Sequence, residues 1–289
     1  MALPLGNTVA QPAWRRPALR GKLLVGGALL GIIVLLALFA PIVAPFPPEE
    51  LHVADRFQAP NAIYLAGTDE LGRDVLSRTL YGSRLSLFLG LAATFIAMLI
   101  GIPLGLLAGY SRGWLDELIM RLLDVMMSFP PIILILLVLA VMTPNLAKTA
   151  LVVGLLYVPA VARLARSVTL SIAAEDFIQA ARARGESRLY ILFREIMPNA
   201  WPPLVVDASL RVSFAILLAA VLSFLGFGVQ PPQADWGLMI SQSRSFLQIS
   251  PWIALTPGIV MCLTVVSLSL LGDGLREHLD PRLRHGPGL

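Results

Sequence analysis

This chain of 289 residues contains few side chains that could carry out chemistry, and they do not have the spacing of a catalytic site. The three histidines lack the spacing of metal ligands, and Cys262 is the single cysteine. The one Gly-Lys pair, Gly21-Lys22, lacks the upstream glycine of a phosphate-binding loop. We therefore expect no catalytic residue, metal site or cofactor site in this chain, and no ATP hydrolysis by it.

One pair of opposite charges, Asp207 and Arg211, lies within an otherwise apolar stretch. A lone charge inside a bilayer is costly, so both side chains should face the bundle interior, a partner or the interface. Because they are four residues apart, they can neutralise each other on one helix. Mutual neutralisation and contact with a transported substrate are both open interpretations of this pair.

Most of the functional information lies in the segment EDFIQAARARGESRLYILFREIMPNAWPP, residues 175–203. Its alanines and acidic amino end favour a helix, and Gly185 fits a carboxyl cap because glycine accepts the left-handed conformation. A second short helix is predicted from about Ser187 to just before Pro198. The small residues could form a flat surface for close approach by another protein. A basic, solvated loop without a partner is the alternative that these residues leave open.

The whole chain has the composition of a membrane protein, with 57% hydrophobic and 14% charged residues. A soluble protein needs about a quarter of its residues charged. The charges here occur in blocks between long apolar runs, which excludes disorder, a coiled coil and a disulfide scaffold. Basic cytoplasmic loops explain the net charge of +4, so we expect no binding to nucleic acid.

Six segments meet or approach the length and apolarity of a membrane-crossing helix, so the predicted fold is an all-α integral membrane protein. Pro130 and Pro131 predict a kink or a broken first turn in the third span. The fourth span must include Arg163 near its inner end, and Arg166 is a further candidate there. The predicted spans are residues 23–44, 85–110, 125–147, 149–166, 204–228 and 251–272.

The distribution of Lys and Arg predicts sidedness. Fifteen of these residues lie on one side of the six-span arrangement and six on the other. By the positive-inside rule, both termini are cytoplasmic. The predicted organisation is a cytoplasmic tail at 1–22, a first span at 23–44, an extracytoplasmic loop at 45–82, a five-helix core at 83–272 with a cytoplasmic loop at about 163–199, and a cytoplasmic tail at 273–289.

The outer loop carries two acid-base pairs with helical spacing, Asp69 with Arg73 and Asp74 with Arg78. In both, the acid precedes the base by four residues, which is the favourable order along a helix. The sequence therefore predicts a helix here. It could be solvated and self-paired, or it could form a contact surface.

Five residues of the inner loop resemble the cytoplasmic "EAA" motif in the membrane subunits of binding-protein-dependent ABC importers: Gln179, Ala180, Ala181, Gly185 and Pro198. Two positions depart from the family pattern, because its glutamate is Gln179 here and its aliphatic residue ten after the glycine is Glu195. The resemblance implies that the loop is a coupling helix in a cleft of an ATPase subunit. Ala180, Ala181 and Gly185 would then lie at that contact.

Three further stretches look like the peptide and nickel branch of these permeases: residues 65–87, 223–240 and 270–283. Within that branch the chain resembles the second of the two partner membrane subunits of a dipeptide or oligopeptide importer. The resemblance covers nearly the whole chain from Leu23 onward. It implies the fold of a type I ABC importer in a bacterial inner membrane.

The resemblance also implies partners: a homologous second permease subunit, two ABC ATPase subunits that use ATP and magnesium, an extracytoplasmic substrate-binding protein, and membrane lipid. The implied function is ATP-driven import of dipeptides or oligopeptides. A nickel chelate or a glutathione-like compound is the alternative substrate. A passive channel or a secondary transporter is a more distant alternative, because neither a ring of like side chains nor a convincing inverted repeat is evident.

Overall fold

The computed structural model describes residues 17–142 and 145–279, and within these residues the chain is mostly helical and forms no β-strand. The predicted all-α fold class is confirmed. The helices in the described ranges are α1 (Pro17–Leu38), α2 (Ala40–Val43), α3 (Val75–Ser111), α4 (Trp114–Met127), α5 (Pro131–Val141), α6 (Leu146–Ile172), α7 (Asp176–Ala183), α8 (Arg188–Tyr190), α9 (Met197–Phe224), α10 (Trp236–Ser243) and α11 (Trp252–Leu279).

Five helical segments are each long and apolar enough to cross a membrane: α1, α3, α6, α11, and α9 together with the residues from Arg188 onward. The predicted third span is not one helix. It is divided between α4 and α5, which are bent by 81° at a short break. The break lies at Pro130 and Pro131, because a proline lacks the N–H group that would continue the helix. Six crossings result when this bent pair is counted as one broken span.

Two helices extend well beyond the apolar segments that predicted them. Helix α3 begins at Val75 because the Asp74 carboxylate caps it, accepting the N–H of Ser77 at 2.7 Å. Helix α6 continues to Ile172 and contains both Arg163 and Arg166. The prediction that the fourth helix includes Arg163 is therefore confirmed, and Arg166 lies within it as well.

The sequence predicts a helix across both acid-base pairs of the outer loop. This prediction is wrong for residues 69–74, because the helix begins only at Val75. Asp69 and Arg73 do form an ion pair, with 2.6 Å between Asp69 Oδ2 and Arg73 Nε, but both side chains are buried in a turn. Arg78 does not pair with Asp74. It lies 3.6 Å from Asp69 instead, and it donates to the carbonyl of Pro48 at 3.1 Å. This network is buried rather than solvated, and it ties the outer loop to α3.

Helix α3 occupies the centre of the bundle and packs against α6 along its length and against α9. Three glycines four residues apart face α6: Gly101, Gly105 and Gly109. A Cβ atom placed on Gly101 would lie 2.7 Å from Val161 Cβ, which is closer than real Cβ contacts. The absence of side chains on these glycines therefore permits the close approach of the two helices.

Helix α1 packs on α11 rather than among the central helices. Lys22 Nζ lies 2.7 Å from Glu277 Oε1, so the first turns of α1 lie beside the last turns of α11. This places the beginning and the end of the bundle at the same face. Most of the two predicted tails, residues 1–16 and 280–289, lies outside the described residues.

Candidate coupling surface

The inner loop is a hairpin of two helical segments, which we call the coupling hairpin (residues 176–196). Helix α7 ends as the sequence predicts. Gly185 has φ of +79°, the Gly185 N–H donates to the Arg182 carbonyl at 3.0 Å, and the Glu186 N–H donates to the Ala181 carbonyl at 3.2 Å. These two bonds close the carboxyl end of α7 and turn the chain sharply.

The second segment begins as predicted but ends differently. The Ser187 hydroxyl accepts the N–H of Tyr190 at 3.2 Å, so Ser187 caps the new helix. The helix does not stop before Pro198, and this part of the prediction is wrong. Residues Ile191–Ile196 adopt π-helical geometry, and Pro198 lies in the first turn of α9. A single helix therefore runs from Arg188 to Phe224 and connects the hairpin directly to a membrane span.

The coupling hairpin shares a hydrophobic core with the bundle. Ile178 and Ala181 on α7 are fully buried, as is Ile191 at the start of the π-helical turn. They belong to one apolar cluster with Leu106 of α3 and Val161 of α6. The hairpin is consequently packed onto α3 and α6, and its buried residues are part of the same core as theirs.

The motif residues divide between the two faces of the hairpin. Ala181 points into the shared core, whereas the other four are exposed: Gln179, Ala180, Gly185 and Pro198. Gln179 donates a hydrogen bond of 3.3 Å to the Ala173 carbonyl. Ala181 thus holds α7 on the bundle, and Ala180 and Gly185 remain open to a partner. The aromatic residues Phe177, Tyr190 and Phe193 are also exposed.

The intramembrane charges Asp207 and Arg211 form an ion pair on α9, with Arg211 Nη2 at 3.1 Å from Asp207 Oδ1. The Arg211 guanidinium also lies over the ring of Tyr157, 5.8 Å from its centroid. Arg211 and Tyr157 line a largely apolar cavity of about 500 Å³ between the α4–α5 break, α6 and α9. The pair neutralises itself, as its spacing predicts, and its basic member still faces an open cavity.

Helix α4 is fastened to α6 by two ion pairs that the sequence analysis did not find. Both Asp116 oxygens accept from Arg166, each at 2.6 Å, and Asp124 pairs with Arg163. The sequence gives no indication of either pair, because the partners are 50 and 39 residues apart along the chain. Arg121 on the same helix pairs with Glu117.

Two sequence families match the chain. The family described as "Binding-protein-dependent transport system inner membrane component" matches residues 101–285. The chain belongs to this family of transport-system membrane components. A second family, the N-terminal TM domain of oligopeptide transport permease C, matches residues 10–60 of the permease.

Relatives of this permease carry names from peptide and glutathione transport. It is 41% identical to the dipeptide transport system permease protein DppC of Alkalihalophilus pseudofirmus, over 90% of this chain and 86% of that one. It is 41% identical to the di/tripeptide transport system permease protein DppC of Pseudomonas aeruginosa, over 90% and 88%. It is 40% identical to the glutathione transport system permease protein GsiD of Pectobacterium atrosepticum, over 94% and 90%.

The fold is also that of a solved membrane transporter. A structure of the MetNI methionine ABC transporter in an inward-facing conformation matches with a TM-score of 0.59 and 20% identity. The match covers 71% of this chain and 96% of the MetNI chain. The expected type I importer fold is therefore confirmed.

Proposed function

We propose that this permease forms half of the translocation pathway of an ATP-driven importer of dipeptides or oligopeptides. The relatives named for dipeptide and di/tripeptide transport support this substrate class. The relative named for glutathione transport supports a glutathione-like compound as the alternative. A nickel chelate has no such support among these relatives.

We further propose its setting and partners. The chain lies in the bacterial inner membrane with the coupling hairpin and both termini in the cytoplasm, as the excess of basic residues indicates. A homologous second permease completes the pathway, and two ATPase subunits bind and hydrolyse ATP with magnesium. An extracytoplasmic binding protein delivers the substrate.

The shared core of the hairpin and the bundle carries this proposal. A force applied by an ATPase to the exposed Ala180 and Gly185 reaches the central helices through Ala181 and Ile178, which are fully buried. The continuous helix from Arg188 to Phe224 extends this connection across the membrane. Because packed cores switch between discrete arrangements rather than deform smoothly, movement of the hairpin should reorient the spans.

The cavity beside Arg211 supports a position for the second subunit. Asp207 and Arg211 are charges within a span, and such charges face protein or an aqueous cavity rather than lipid. The exposed apolar residues Phe214 and Val221 line the same cavity. We therefore propose that this face of α9 meets the second permease and borders the pathway.

The variant Gly185→Trp tests the coupling proposal. A Cβ atom on Gly185 would meet no atom of the described residues within 4 Å, so the indole can project into the space that an ATPase would occupy. We expect the affinity for the ATPase to fall roughly 30-fold, which is the effect of losing one hot-spot residue of a protein interface. ATP-driven dipeptide uptake should fall with it. Co-purification with the ATPase and uptake into proteoliposomes measure the two effects.

Gly226→Trp is the matched control for this experiment. Gly226 has a similar φ of +87° and the same open surroundings, but it follows α9 at the opposite end of that helix. The backbone strain is thus similar in both variants. If Gly185→Trp leaves ATPase association unchanged, or if Gly226→Trp reduces it equally, the hairpin is not the coupling element.

A further inference from the structure

A polar cleft of about 380 Å³ lies between the coupling hairpin and the carboxyl end of α3. The exposed motif residues do not line it. Tyr110 and Arg112 line it from the α3 side, and Arg182, Glu186 and Arg188 line it from the hairpin. Arg182 is held over the Tyr110 ring, with its guanidinium carbon 5.1 Å from the centroid. Two separate segments of the chain thus direct arginines into one cleft.

The positive charge of this cleft is not balanced. Three arginines face one carboxylate, and that carboxylate, Glu186, lies nearest to Arg184, at 3.6 Å. Within residues 17–142 and 145–279, no acidic side chain forms an ion pair with Arg112, Arg182 or Arg188. The nearby arginines on α4 and α6 are all paired, whereas the three arginines of the cleft are not. An anion with several acceptor oxygens would satisfy these donors.

The surroundings of the cleft indicate its depth in the membrane. Trp114 follows Arg112 by two residues and is 74% exposed, and tryptophan is enriched at membrane interfaces. Leu118, Leu122 and Val125 continue from it as one exposed apolar stripe on α4. Helix α5 has 11 residues and is too short to cross a bilayer alone, so α4 contributes to the broken span, and Trp114 in its first turn lies at one end of that span. The cleft is therefore at the level of the lipid headgroups.

We propose that this arginine cleft binds the phosphate group of an anionic phospholipid in the inner leaflet. The bound headgroup bridges the end of α3 and the coupling hairpin, so it would stabilise the arrangement in which these two elements are close. This inference rests on the sidedness of the proposed function. It makes the importer sensitive to the anionic lipid content of its membrane.

The test measures lipid retained by the purified full-length chain. Native mass spectrometry after exchange into phosphatidylglycerol or phosphatidylcholine gives the occupancy of each lipid. We expect the wild type to retain phosphatidylglycerol selectively. The double variant Arg112→Gln, Arg188→Gln should bind phosphatidylglycerol about 25-fold more weakly, because each arginine near an anionic surface contributes about fivefold to the affinity. Arg112→Lys with Arg188→Lys keeps the charge and should retain most of the binding.

Arg194→Gln is the matched control, because Arg194 is an exposed arginine of the same hairpin that does not line the cleft. It should retain phosphatidylglycerol as the wild type does. Equal retention by wild type and the glutamine double variant would overturn the proposal. Displacement of the lipid by inorganic phosphate at millimolar concentration would instead identify a site for soluble phosphate.

The remaining outcomes separate this proposal from the proposed function. If the wild type shows no lipid preference but the double variant weakens ATPase association, the cleft is a contact for ATPase carboxylates and the lipid proposal is wrong. Lipid retention is measured without ATPase or transport. A permease that retains phosphatidylglycerol but supports no ATP-driven uptake would therefore contradict the proposed function alone.

Discussion

At the scale of single residues, the buried carboxylate of Asp69 balances the charges of the outer network. Its Oδ2 lies 2.6 Å from Arg73 Nε and 3.6 Å from Arg78 Nε, while its Oδ1 accepts the N–H groups of Leu71 and Arg73, both at 2.9 Å. Glu70 also pairs with Arg73, at 3.0 Å. Arg78 has Asp69 as its one acidic partner among the described residues.

We predict that Asp69→Asn destabilises the permease by about 3 kcal/mol, because it leaves Arg78 charged and buried without an opposite charge. The amide keeps the shape and its oxygen can still accept the two N–H groups, but its NH2 group replaces the oxygen that accepts from Arg73 Nε, so the variant removes the charge and that one hydrogen bond. Thermal unfolding of the purified protein in detergent measures it. Glu117→Gln, which breaks the exposed pair with Arg121, should change the stability by less than about 0.5 kcal/mol. Equal shifts in the two variants would contradict the balancing role of Asp69.

The sequence predicted the roles of single residues more accurately than the boundaries of helices. Gly185 was predicted as a cap and has the left-handed φ that this role requires, and Ser187 was predicted near the start of the next helix and caps it. The exposure of Ala180 and the burial of Ala181 could not be predicted, because neighbouring alanines differ only in the direction that they face on the finished helix. Arg182 and Arg188 of the cleft were visible only as basic residues of the inner loop, and nothing in the sequence placed Arg112 beside them.

At the scale of elements, the contact between α3 and α6 depends on Gly101, Gly105 and Gly109. A Cβ atom on Gly105 would lie 2.5 Å from Ala165 Cβ and 2.9 Å from the backbone nitrogen of Arg166. Backbone atoms cannot move aside as a flexible side chain can. The two helices must therefore separate if any of these glycines acquires a side chain.

Gly105→Ala should destabilise the bundle by about 1–3 kcal/mol, the usual range for an overpacked core. Gly258→Ala is the matched control, since Gly258 is also inside a long helix but has no atom of the described residues within 4 Å of a Cβ. There the substitution should be neutral or stabilise by up to about 1 kcal/mol, through helix propensity alone. Thermal unfolding compares the two variants. A stabilising Gly105→Ala would show that the helices do not meet as closely as the structure has them.

The elements also show why the sequence predicted some boundaries and not others. Apolar length alone located five of the spans. Pro130 and Pro131 divide the third span at the position where they predicted a kink, whereas Pro198 does not end the helix that contains it. A proline in the first helical turn costs little, since its missing N–H would be unpaired there, and the preceding π-helical turn accommodates the change. The four-residue spacing of Gly101, Gly105 and Gly109 in the sequence is the signal that predicts this close helix contact.

At the scale of the whole molecule, the permease is a bundle with a hairpin fixed to one end and a buried charge network at the other. The pairs Asp116–Arg166 and Lys22–Glu277 join its helices near the hairpin end and at the two ends of the chain. Six spans, their helical class and the family were all predictable from apolar runs and motifs. The long-range ion pairs were not, because their partners are separated by 50 and 255 residues.

The sidedness of the coupling hairpin tests the central claim most directly. Arg184→Cys places a thiol on the exposed end of α7, in a background where Cys262→Ser removes the exposed native cysteine. We predict that a membrane-impermeant maleimide labels this thiol only in inside-out vesicles, and that the added ATPase subunits protect it. Labelling from the outside of right-side-out vesicles would invert the hairpin and contradict its role as the contact with a cytoplasmic ATPase.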